Sequence, residues 1–459
     1  MARVTESFPL RVAVVGSGPA GFYAAGALLS AKQGIEVDLI ERLPTPWGLV
    51  RLGVAPDHPN IKAVSRAFEK IAAQDGFRFL GNLDVGAHVT HAELAERYDA
   101  VIYSCGAQTD RRMGIAGEDL PGSWPATAFV AWYNGHPDFA DLEFDLSGER
   151  AVVIGNGNVA VDVARMLCLT KAELEITDTA DGAIDAIVGC GLEEILMLGR
   201  RGPVQAAFTT PELQELGEMA GADILVDPAD LVLDDASAVA LEEGGAIPKR
   251  NVELLNEYAA RAPHGHPRAL RLRFLVSPVA ILGDGKVEAI EVVKNVLVQG
   301  DDGQIRAVAT EERETIPCSI VFRSVGYQGV PIEGVPFDDR GAVMPNDGGR
   351  VLDPSGAPVP GLYCAGWIKR GPSGVIGTNK KDATETVEIL LADAAEGRIP
   401  RRAAEAKPID ELAAARGHRI VTYAGWEAID AAEKAAAAST SRPRVKLTRW
   451  PDLLAAAGA

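Results

Sequence analysis

The chain contains two separate glycine-rich turns, and each follows a short run of apolar residues. The first turn, Gly16–Gly21, has the spacing G-x-G-x-x-G and comes after Val12–Val15. The second, Gly155–Ala160, has the spacing G-x-G-x-x-A and comes after Ala151–Ile154. A buried strand, a glycine turn and a helix together are typical of Rossmann-like sheets, which bind a dinucleotide pyrophosphate at the helix N-terminus. Two such turns predict two dinucleotide-binding domains.

The rest of the chain alternates between strand-like and helix-like segments, which predicts an α/β fold of parallel sheets covered by helices. Helices are predicted directly after the two turns, over Phe22–Ala31 and Val161–Leu169. Asp230–Gly245 is predicted to be a surface excursion, and Lys171–Cys190 an insertion. The further predicted strands are Val37–Glu41, Ala100–Cys105, Glu194–Leu198, Asp223–Val226, Leu272–Val276, Val287–Val298 and Ile316–Val325.

Composition excludes several classes of function. The net charge of −19 over 459 residues gives no general attraction for nucleic acid or an anionic membrane. No apolar stretch reaches the length of about 18 residues that a membrane helix needs. The five cysteines are scattered without a C-x-x-C pair, so we expect reduced, mostly buried thiols. With few residues before the first apolar run, no signal or transit peptide is expected, and the prediction is a cytoplasmic protein.

The first turn has the features of an FAD site. Gly16 permits the tight turn, Gly18 lets the backbone approach a pyrophosphate, and Gly21 lets helix and strand pack closely. Glu41 follows at the end of the next strand, where a carboxylate accepts ribose hydroxyls. A late strand, Gly361–Gly366, resembles the one that brings backbone close to the flavin in two-dinucleotide flavoproteins. The alternative is a glycine turn without a nucleotide, which the position of Glu41 argues against.

The second turn has the features of an NADP site. Gly155, Gly157 and Ala160 form its fingerprint, and the next strand ends in Arg200 and Arg201 with no carboxylate at its tip. Two guanidinium groups there would bind a 2′-phosphate through charge-assisted hydrogen bonds, whereas an acid would repel it. The alternative is that the two arginines are ordinary surface charge.

Several longer blocks identify a resemblance that runs nearly end to end. The chain resembles the adrenodoxin reductase-like ferredoxin–NADP reductases, and among them the FprA-type bacterial enzymes of mycobacteria and their relatives. The blocks are Leu43–Arg51, Val54–Pro59, Gly199–Pro203 with Ala206–Thr210, and Gly366–Asn379. The resemblance implies a reductase in which FAD accepts a hydride from NADPH and passes single electrons to a ferredoxin-type iron–sulfur protein. It leaves open whether that acceptor serves a cytochrome P450 or another iron–sulfur user.

The resemblance also implies the domain order and the binding residues. An NADP domain over 107–325 is inserted into an FAD domain made of 1–106 and 326–459. The implied NADP contacts include Gly374 beside the nicotinamide, with Arg111 as a further candidate. The implied FAD contacts are Ala20, Glu41, Leu49, Val85, Trp367, Gly374, Val375 and Ile376. The other implied NADP contacts are Asn156, Asn158, Val159, Arg200, Arg201 and Glu212.

Two further residues are candidates for proton handling. His58 lies between Pro56 and Pro59 in one of the blocks, and Glu215 lies on the helix expected after Ala206–Thr210. We predict that His58 and Glu215 meet at the nicotinamide, where the carboxylate would favour the protonated imidazole. The alternatives are a structural histidine and an exposed helix carboxylate.

An acidic ferredoxin is predicted to dock on a local basic patch, despite the acidic chain. The candidate cations are Lys249, Arg250, Arg261, Lys369 and Arg370. Scattered surface charge is the alternative. Two rival functions are a flavin disulfide reductase, which would need a redox cysteine pair, and a dinucleotide-sensing protein, which would need neither two nucleotide sites nor a flavin-covering loop. No metal is predicted.

Overall fold

The computed structural model describes residues 9–31, 34–402 and 406–459. Residues 1–8, where no signal or transit peptide is expected, lie outside the described residues. The chain forms two compact units. Unit 1 comprises the residues up to Thr109, then Gly326–Ser439 and Arg444–Ala459. Unit 2 comprises Asp110–Val325 and Thr440–Pro443.

The strands are numbered in chain order. They are β1 (Arg11–Val15), β2 (Glu36–Ile40), β3 (Phe77–Leu80), β4 (Ala100–Tyr103), β5 (Thr109–Asp110), β6 (Ser123–Pro125), β7 (Arg150–Ile154), β8 (Glu194–Leu198), β9 (Ala222–Val226), β10 (Arg268–Arg273), β11 (Val276–Leu282), β12 (Ala289–Gln299), β13 (Ile305–Pro317), β14 (Ile320–Arg323), β15 (Tyr327–Gln328), β16 (Asn346–Asp347), β17 (Arg350–Leu352) and β18 (Pro358–Cys364).

The α-helices are numbered in the same way, and short 3-10 helices lie at Pro203–Gln205 and Pro228–Leu231. They are α1 (Pro19–Ser30), α2 (Leu49–Leu52), α3 (Pro59–Lys62), α4 (Ser65–Ala72), α5 (His91–Arg97), α6 (Ala126–Tyr133), α7 (Asn158–Met166), α8 (Lys171–Leu174), α9 (Asp181–Val188), α10 (Thr210–Leu216), α11 (Asp235–Glu243), α12 (Ala246–Ala260), α13 (Trp367–Arg370), α14 (Ile376–Ala395), α15 (Ile409–Ala415), α16 (Tyr423–Ala436) and α17 (Trp450–Ala456).

Unit 1 is built on a seven-stranded sheet with the order β16-β17-β18-β4-β1-β2-β3. Its central pairs are parallel, and only the pairs β16–β17 and β17–β18 are antiparallel. Because β18 pairs with β4, the late strand of the sequence returns next to the strands that carry the first glycine turn. Strands from an early and a late part of the chain therefore build one sheet.

Unit 2 is built on a six-stranded parallel sheet with the order β6-β14-β7-β8-β10-β9. A separate three-stranded antiparallel sheet, β11-β12-β13, belongs to the same unit. Its Val276, Ile281 and Ile290 share a buried cluster with Val152 and Ile154 of β7. The antiparallel sheet thus covers one face of the parallel sheet.

Burial explains why the strands before the two turns are continuously apolar. In β1, Val12 and Val14 belong to one buried cluster, while Ala13 and Val15 belong to another. Side chains alternate between the two faces of a sheet, so both faces of β1 are covered and neither admits polar residues. In β7, Ala151 and Val153 alternate with Val152 and Ile154 in the same manner.

Several predicted elements differ from the structure. The predicted strand Leu272–Val276 is wrong, because Leu275 adopts a positive φ of 57° and separates β10 from β11. The predicted strand Ile316–Val325 is also divided, into the end of β13 and the parallel strand β14. The predicted parallel sheets are present in both units, and the antiparallel sheet β11-β12-β13 is an addition that the sequence analysis did not predict. The excursion Asp230–Gly245 contains helix α11, and the insertion Lys171–Cys190 contains α8 and α9.

A short segment near the C-terminus differs from the predicted domain order. Thr440–Pro443 groups with unit 2, although the sequence assigns all of 326–459 to the FAD domain. Within unit 2, the guanidinium of Arg442 donates a hydrogen bond of 3.2 Å to the carbonyl of Thr177. It also donates to the carbonyl of Thr179 and pairs with Asp181. These contacts place the segment against the helices of the insertion.

Candidate dinucleotide sites

The first glycine of each turn touches the carbonyl group that follows a neighbouring strand. Gly16 has a φ of +102°, and a Cβ atom there would lie 2.7 Å from the carbonyl oxygen of Ser104. Gly155 has a φ of +129°, and its Cβ would lie 2.3 Å from the carbonyl oxygen of Ser324. Both positions therefore exclude a side chain for steric and conformational reasons. This geometry agrees with the tight turn expected at Gly16, and Gly155 has the same geometry in the second turn.

The second glycine of each turn faces open space. A Cβ atom at Gly18 or at Gly157 would have no heavy atom within 4 Å. Each of these glycines is the N-cap residue of its helix, α1 or α7, and makes no side-chain capping hydrogen bond. The first-turn N–H groups of both helices are thus available to an anion. This geometry fits a dinucleotide pyrophosphate at each turn.

The third position differs between the two turns. A Cβ atom at Gly21 would lie 2.0 Å from the carbonyl oxygen of Gly16, so the first turn requires glycine there. Ala160 occupies the equivalent position in unit 2 and is completely buried, so the second turn accommodates one methyl group. Both helices begin earlier than predicted, at Pro19 and Asn158, because the turn itself contributes the first helical residues.

Glu41 follows β2 and is bound to the first turn. Its Oε2 atom accepts hydrogen bonds from the backbone N–H of Ser17 at 3.0 Å and from Ser17 Oγ at 2.7 Å. Its Oε1 atom accepts one from the backbone N–H of Leu43 at 3.0 Å. A carboxylate oxygen has two lone pairs, so Oε1 retains one acceptor position for a ribose hydroxyl. The carboxylate is therefore held next to the glycine turn with acceptor capacity left.

The late strand β18 leads into α13 through Gly366, which has a φ of +78°. Asp382 of α14 accepts a hydrogen bond of 2.5 Å from the backbone N–H of Gly366. The indole ring of Trp367 stacks on Tyr327 with centroids 5.5 Å apart. Its buried Nε1 atom has no acceptor among the described residues. Buried N–H groups are nearly always paired, so this donor fits an acceptor on a bound ligand.

The remaining predicted FAD contacts also lie in unit 1. Leu49 begins α2, and Val85 forms an isolated bridge with Val89. Val375 is the N-cap residue of α14, between Gly374 and Ile376. The side chains of Leu49 and Val375 are exposed by 45% and 63%.

Arg200 and Arg201 follow β8 in unit 2, as predicted. Neither guanidinium forms an ion pair with a carboxylate among the described residues, and Arg200 is exposed. Burial, followed by the adjacent charge of Arg200, lowers the pKa of Arg201. Two neighbouring cations without an acid repel each other, and an anion between them would relieve that repulsion. The pair fits a phosphate group.

The backbone of the second turn is connected to the segment that contains Glu212 and Glu215. The N–H of Ala207 donates to the carbonyl of Asn156 at 3.1 Å, and the N–H of Thr209 donates to Oδ1 of Asn158 at 2.8 Å. Helix α10 begins at Thr210, so the prediction of a helix carrying Glu215 is confirmed. The side-chain Nδ2 atom of Asn156 is buried and has no acceptor in the described part of the chain, which fits a nearby ligand.

The candidates for proton handling lie in different units. His58 is 7% exposed and is the N-cap residue of α3 in unit 1. Glu215 lies in unit 2, where its carboxylate is 3.2 Å from the guanidinium of Arg165. The predicted meeting of His58 with Glu215 at the nicotinamide stays a prediction.

Two of the predicted NADP contacts also lie in unit 2. Arg111 is exposed, and Val159 is in the first turn of α7.

Three of the five cations of the predicted basic patch pair with carboxylates. Arg250 pairs with Glu253 and Glu257, each at 3.1 Å. Lys369 and Arg370 both pair with Asp382, at 3.1 Å and 3.3 Å. In addition, the side chains of Lys249 and Arg261 donate to the carbonyls of Glu242 and Gly217. The charges of Arg250, Lys369 and Arg370 are therefore paired with carboxylates, whereas Lys249 and Arg261 are hydrogen-bonded to neutral carbonyl oxygens.

The cysteines were expected to be reduced and mostly buried, and Cys168, Cys318 and Cys364 are buried. All five are free. Burial raises the pKa of Cys105, Cys168 and Cys318 to about 12 in each case, and it raises the pKa of Cys364 further. A thiol reacts as its thiolate, so these groups are poor nucleophiles at neutral pH. The requirement of a disulfide reductase for a redox cysteine pair is not met.

The sequence interpretation missed three residues that organise these sites. Ser17 binds Glu41, Asp382 binds the Gly366 turn, and Arg165 binds the carboxylates of α10. Ser17 occupies a variable position of the fingerprint, so its type carries no signal. Asp382 and Arg165 lie within helices at positions whose partners only the tertiary structure reveals.

These features define a class. Each unit has a sheet whose central strands are parallel and a glycine turn without a side-chain cap. Unit 1 adds a late strand and an indole donor that is unpaired among the described residues. This combination is typical of a flavoprotein reductase with two dinucleotide sites. A sequence profile of the pyridine nucleotide-disulphide oxidoreductase family matches residues 10–196. Among the described residues, no helix is both long and apolar enough to span a membrane.

Comparison with known proteins specifies the family. The NADPH-ferredoxin reductase FprA of Mycobacterium tuberculosis is 51% identical, with 97% of this chain and 98% of that protein covered. The mitochondrial NADPH:adrenodoxin oxidoreductase of Arabidopsis thaliana is 41% identical, with 98% and 96% covered. The structure of Mycobacterium tuberculosis FprA in complex with NADPH matches with a TM-score of 0.93 and 49% identity, covering 98% of this chain and 100% of that one. The chain belongs to the FprA-type family of NADPH-ferredoxin reductases.

Proposed function

We propose that the protein is an FAD-containing NADPH–ferredoxin oxidoreductase. The observation that carries the proposal is the pair of open glycine turns, one beside a carboxylate and the other in the unit with Arg200 and Arg201. A carboxylate suits the free ribose of FAD, whereas two cations suit the 2′-phosphate of NADPH. Bound FAD accepts a hydride from NADPH and releases its electrons one at a time, which suits a one-electron iron–sulfur acceptor.

The residues of unit 1 bind and orient the FAD. Glu41 would accept a hydrogen bond from the adenosine ribose, and the N-terminal amides of α1 would bind the pyrophosphate. The Nε1 donor of Trp367 would bind an oxygen of the cofactor. Leu49 and Val375 would exclude water by covering it with apolar side chains.

The residues of unit 2 bind NADPH. The amides at the start of α7 would bind its pyrophosphate, and Arg200 and Arg201 would bind its 2′-phosphate. Glu212 and Glu215 would lie at the nicotinamide end, with Arg111 as a further phosphate ligand. The charge on both arginines favours NADPH over NADH, because NADH lacks the phosphate.

His58 and Glu215 are proposed to position the nicotinamide and to manage the proton associated with flavin reduction. His58 is buried, and Glu215 is fixed through Arg165, so neither has the environment of an ordinary surface residue. His58→Gln and Glu215→Gln should each slow hydride transfer in stopped-flow measurements while FAD content is maintained. Wild-type rates and pH dependence in both variants would contradict this role.

The electron acceptor is proposed to be a small acidic ferredoxin, which supplies either a cytochrome P450 or another iron–sulfur user. The buried, reduced cysteines suit a reducing compartment, and the proposed location is the cytoplasm. Neither nucleic acid nor membrane insertion is part of the proposal.

The central experiment is anaerobic mixing of the yellow holoprotein with NADPH. We expect rapid bleaching of the flavin, followed by reoxidation when ferredoxin or an artificial dye is added. A dinucleotide sensor would bind NADPH without turnover, and a protein that fails to retain FAD would contradict the proposal. Reduction of the ferredoxins of the same organism, tested one by one, would identify the acceptor.

A further inference from the structure

Unit 2 contains a buried arginine that contacts both Glu212 and Glu215. The side chain of Arg165, on α7, is 2% exposed. Its guanidinium lies 2.8 Å from Asp162 Oδ1, 3.5 Å from Glu212 Oε2 and 3.2 Å from Glu215 Oε2. Burying a charge is costly unless it is paired, so an arginine in this position is held there by its carboxylates.

Helix α10 depends on side chains of α7 for its position. It has seven residues, which is too short to be stable without tertiary contacts. Asn158 accepts the N–H of Thr209 at its beginning, and Arg165 contacts Glu212 and Glu215 along its length. Since Asn158 belongs to the second glycine turn, α7 connects the two carboxylates to the dinucleotide turn through two anchors.

The same contact also sets the local charge. Glu212 and Glu215 each bring a carboxylate to one guanidinium, and their side chains are 11% and 40% exposed. The nicotinamide ring of NADP+ carries a positive charge, whereas the ring of NADPH is neutral. Carboxylates near the ring favour the oxidised form, and the charge of Arg165 offsets part of that preference.

We propose that Arg165 is a positioning residue, which orients Glu212 and Glu215 and sets how strongly the site prefers oxidised over reduced nicotinamide. This inference rests on the proposed function, which places the two carboxylates at the nicotinamide end. Arg165 itself has no direct role in the chemistry; it acts through α10.

The test is a comparison of two dissociation constants in the oxidised holoprotein. The ligands are NADP+ and tetrahydro-NADPH, whose neutral ring cannot donate a hydride. In Arg165→Gln, the ratio of the constant for NADP+ to that for tetrahydro-NADPH should fall about fivefold, because a positive charge is removed near a cationic ring. Arg165→Lys retains the charge and should keep the ratio within about twofold of wild type.

Removal of a carboxylate should act in the opposite direction. Glu215→Gln, at a partly exposed position that tolerates substitution, should raise the same ratio, and it provides the test if Arg165→Gln does not fold. The matched control is Arg268→Gln. Arg268 also contacts the end of α7, through the carbonyls of Leu167 and Leu169, but no carboxylate is among its hydrogen-bond partners in the described residues. Its replacement should leave the ratio unchanged.

Distinct results separate this inference from the proposed function. Equal weakening of both ligands in Arg165→Gln, or an unchanged ratio in Glu215→Gln, would overturn the positioning role. Failure of the wild-type holoprotein to bind either ligand, or to be reduced by NADPH, would instead overturn the proposed function.

Discussion

The carboxylate of Glu41 accepts two hydrogen bonds from Ser17, one from its backbone N–H at 3.0 Å and one from its Oγ atom at 2.7 Å. These contacts connect the end of β2 to the first glycine turn. The turn and the acid that follows β2 are consequently held together by hydrogen bonds within the chain itself. Charge-assisted bonds to backbone amides are among the stronger hydrogen bonds in proteins.

Glu41→Gln should weaken FAD binding. The glutamine would place either an oxygen without charge or an NH₂ group against the Ser17 donors, and it would lose the charged acceptor for the ribose. The expected loss is about 1.5–3 kcal/mol, or about ten- to a hundredfold in the dissociation constant. Flavin content after gel filtration and titration of the apoprotein with FAD measure it. Glu36→Gln, at the first residue of β2 and paired with Arg11 at 2.7 Å, should retain the flavin.

Replacing Arg200 and Arg201 with glutamine should raise the Michaelis constant for NADPH by about ten- to a hundredfold for each lost charge-assisted contact. The constant for NADH should change much less, because NADH lacks the 2′-phosphate. Steady-state dye reduction with both coenzymes gives the comparison. Arg306→Gln is the control, since its guanidinium pairs with Asp302 on the surface of the same unit. An equal effect on both coenzymes would refute the phosphate assignment.

Asp110→Asn should stabilise the protein at neutral pH. Burial raises the pKa of Asp110 to about 6, against a hydrogen bond from Thr127 that lowers it. The folded state therefore binds this proton more tightly than the unfolded state, so stability decreases as pH rises from about 4 to about 6. Asparagine lacks that titration, and we expect a gain of about 1–2 kcal/mol above pH 7. Urea unfolding from pH 4 to 8 measures how the free energy of unfolding changes with pH in the wild type and in Asp110→Asn.

Asp353 provides the opposite case in the same experiment. Its Oδ1 atom accepts hydrogen bonds from Ser355 and Ala357, and these bonds lower its pKa. Its stabilising contribution is present above its ordinary pKa and is lost as pH falls through the lowered value. Asp353→Asn should therefore destabilise at neutral pH and have little effect in acid. The same sign for both variants would contradict the two assignments.

The elements predicted most accurately are those that backbone geometry requires. The roles of Gly16 and Gly155 follow from positive φ and from a carbonyl that leaves no room for Cβ, and both conditions restrict residue type. In contrast, β13 is exposed along most of its 13 residues and has no alternating apolar pattern, so most of this strand was not predicted, although its neighbour β12 was. Arg165 was missed for a different reason, because its carboxylate partners on α10 become neighbours only in the folded structure.

Reduction of an acidic ferredoxin should slow as ionic strength rises, whereas dye reduction should not. The screening length falls from about 30 Å at 0.01 M to about 8 Å at 0.15 M salt, so attraction between the partners weakens. Arg250→Gln should raise the Michaelis constant for ferredoxin, because it leaves Glu253 and Glu257 without their cation. Lack of salt dependence for ferredoxin would refute electrostatic docking.

Substitutions of Gly18 and Gly157 allow the two dinucleotide sites to be tested separately in the same protein. A Cβ atom at Gly18 or Gly157 meets no protein atom within 4 Å, and both residues have a negative φ, so alanine should be tolerated in the folded chain. The added methyl group would instead occupy the space into which a pyrophosphate must approach. Gly18→Ala should fold but bind FAD poorly and appear pale. Gly157→Ala should remain yellow and lose affinity for NADP+ and NADPH alike, since the pyrophosphate is common to both. Far-UV circular dichroism, flavin content and NADP+ titration distinguish these outcomes. If Gly157→Ala lost its flavin and Gly18→Ala kept it, the assignment of the two turns would be reversed.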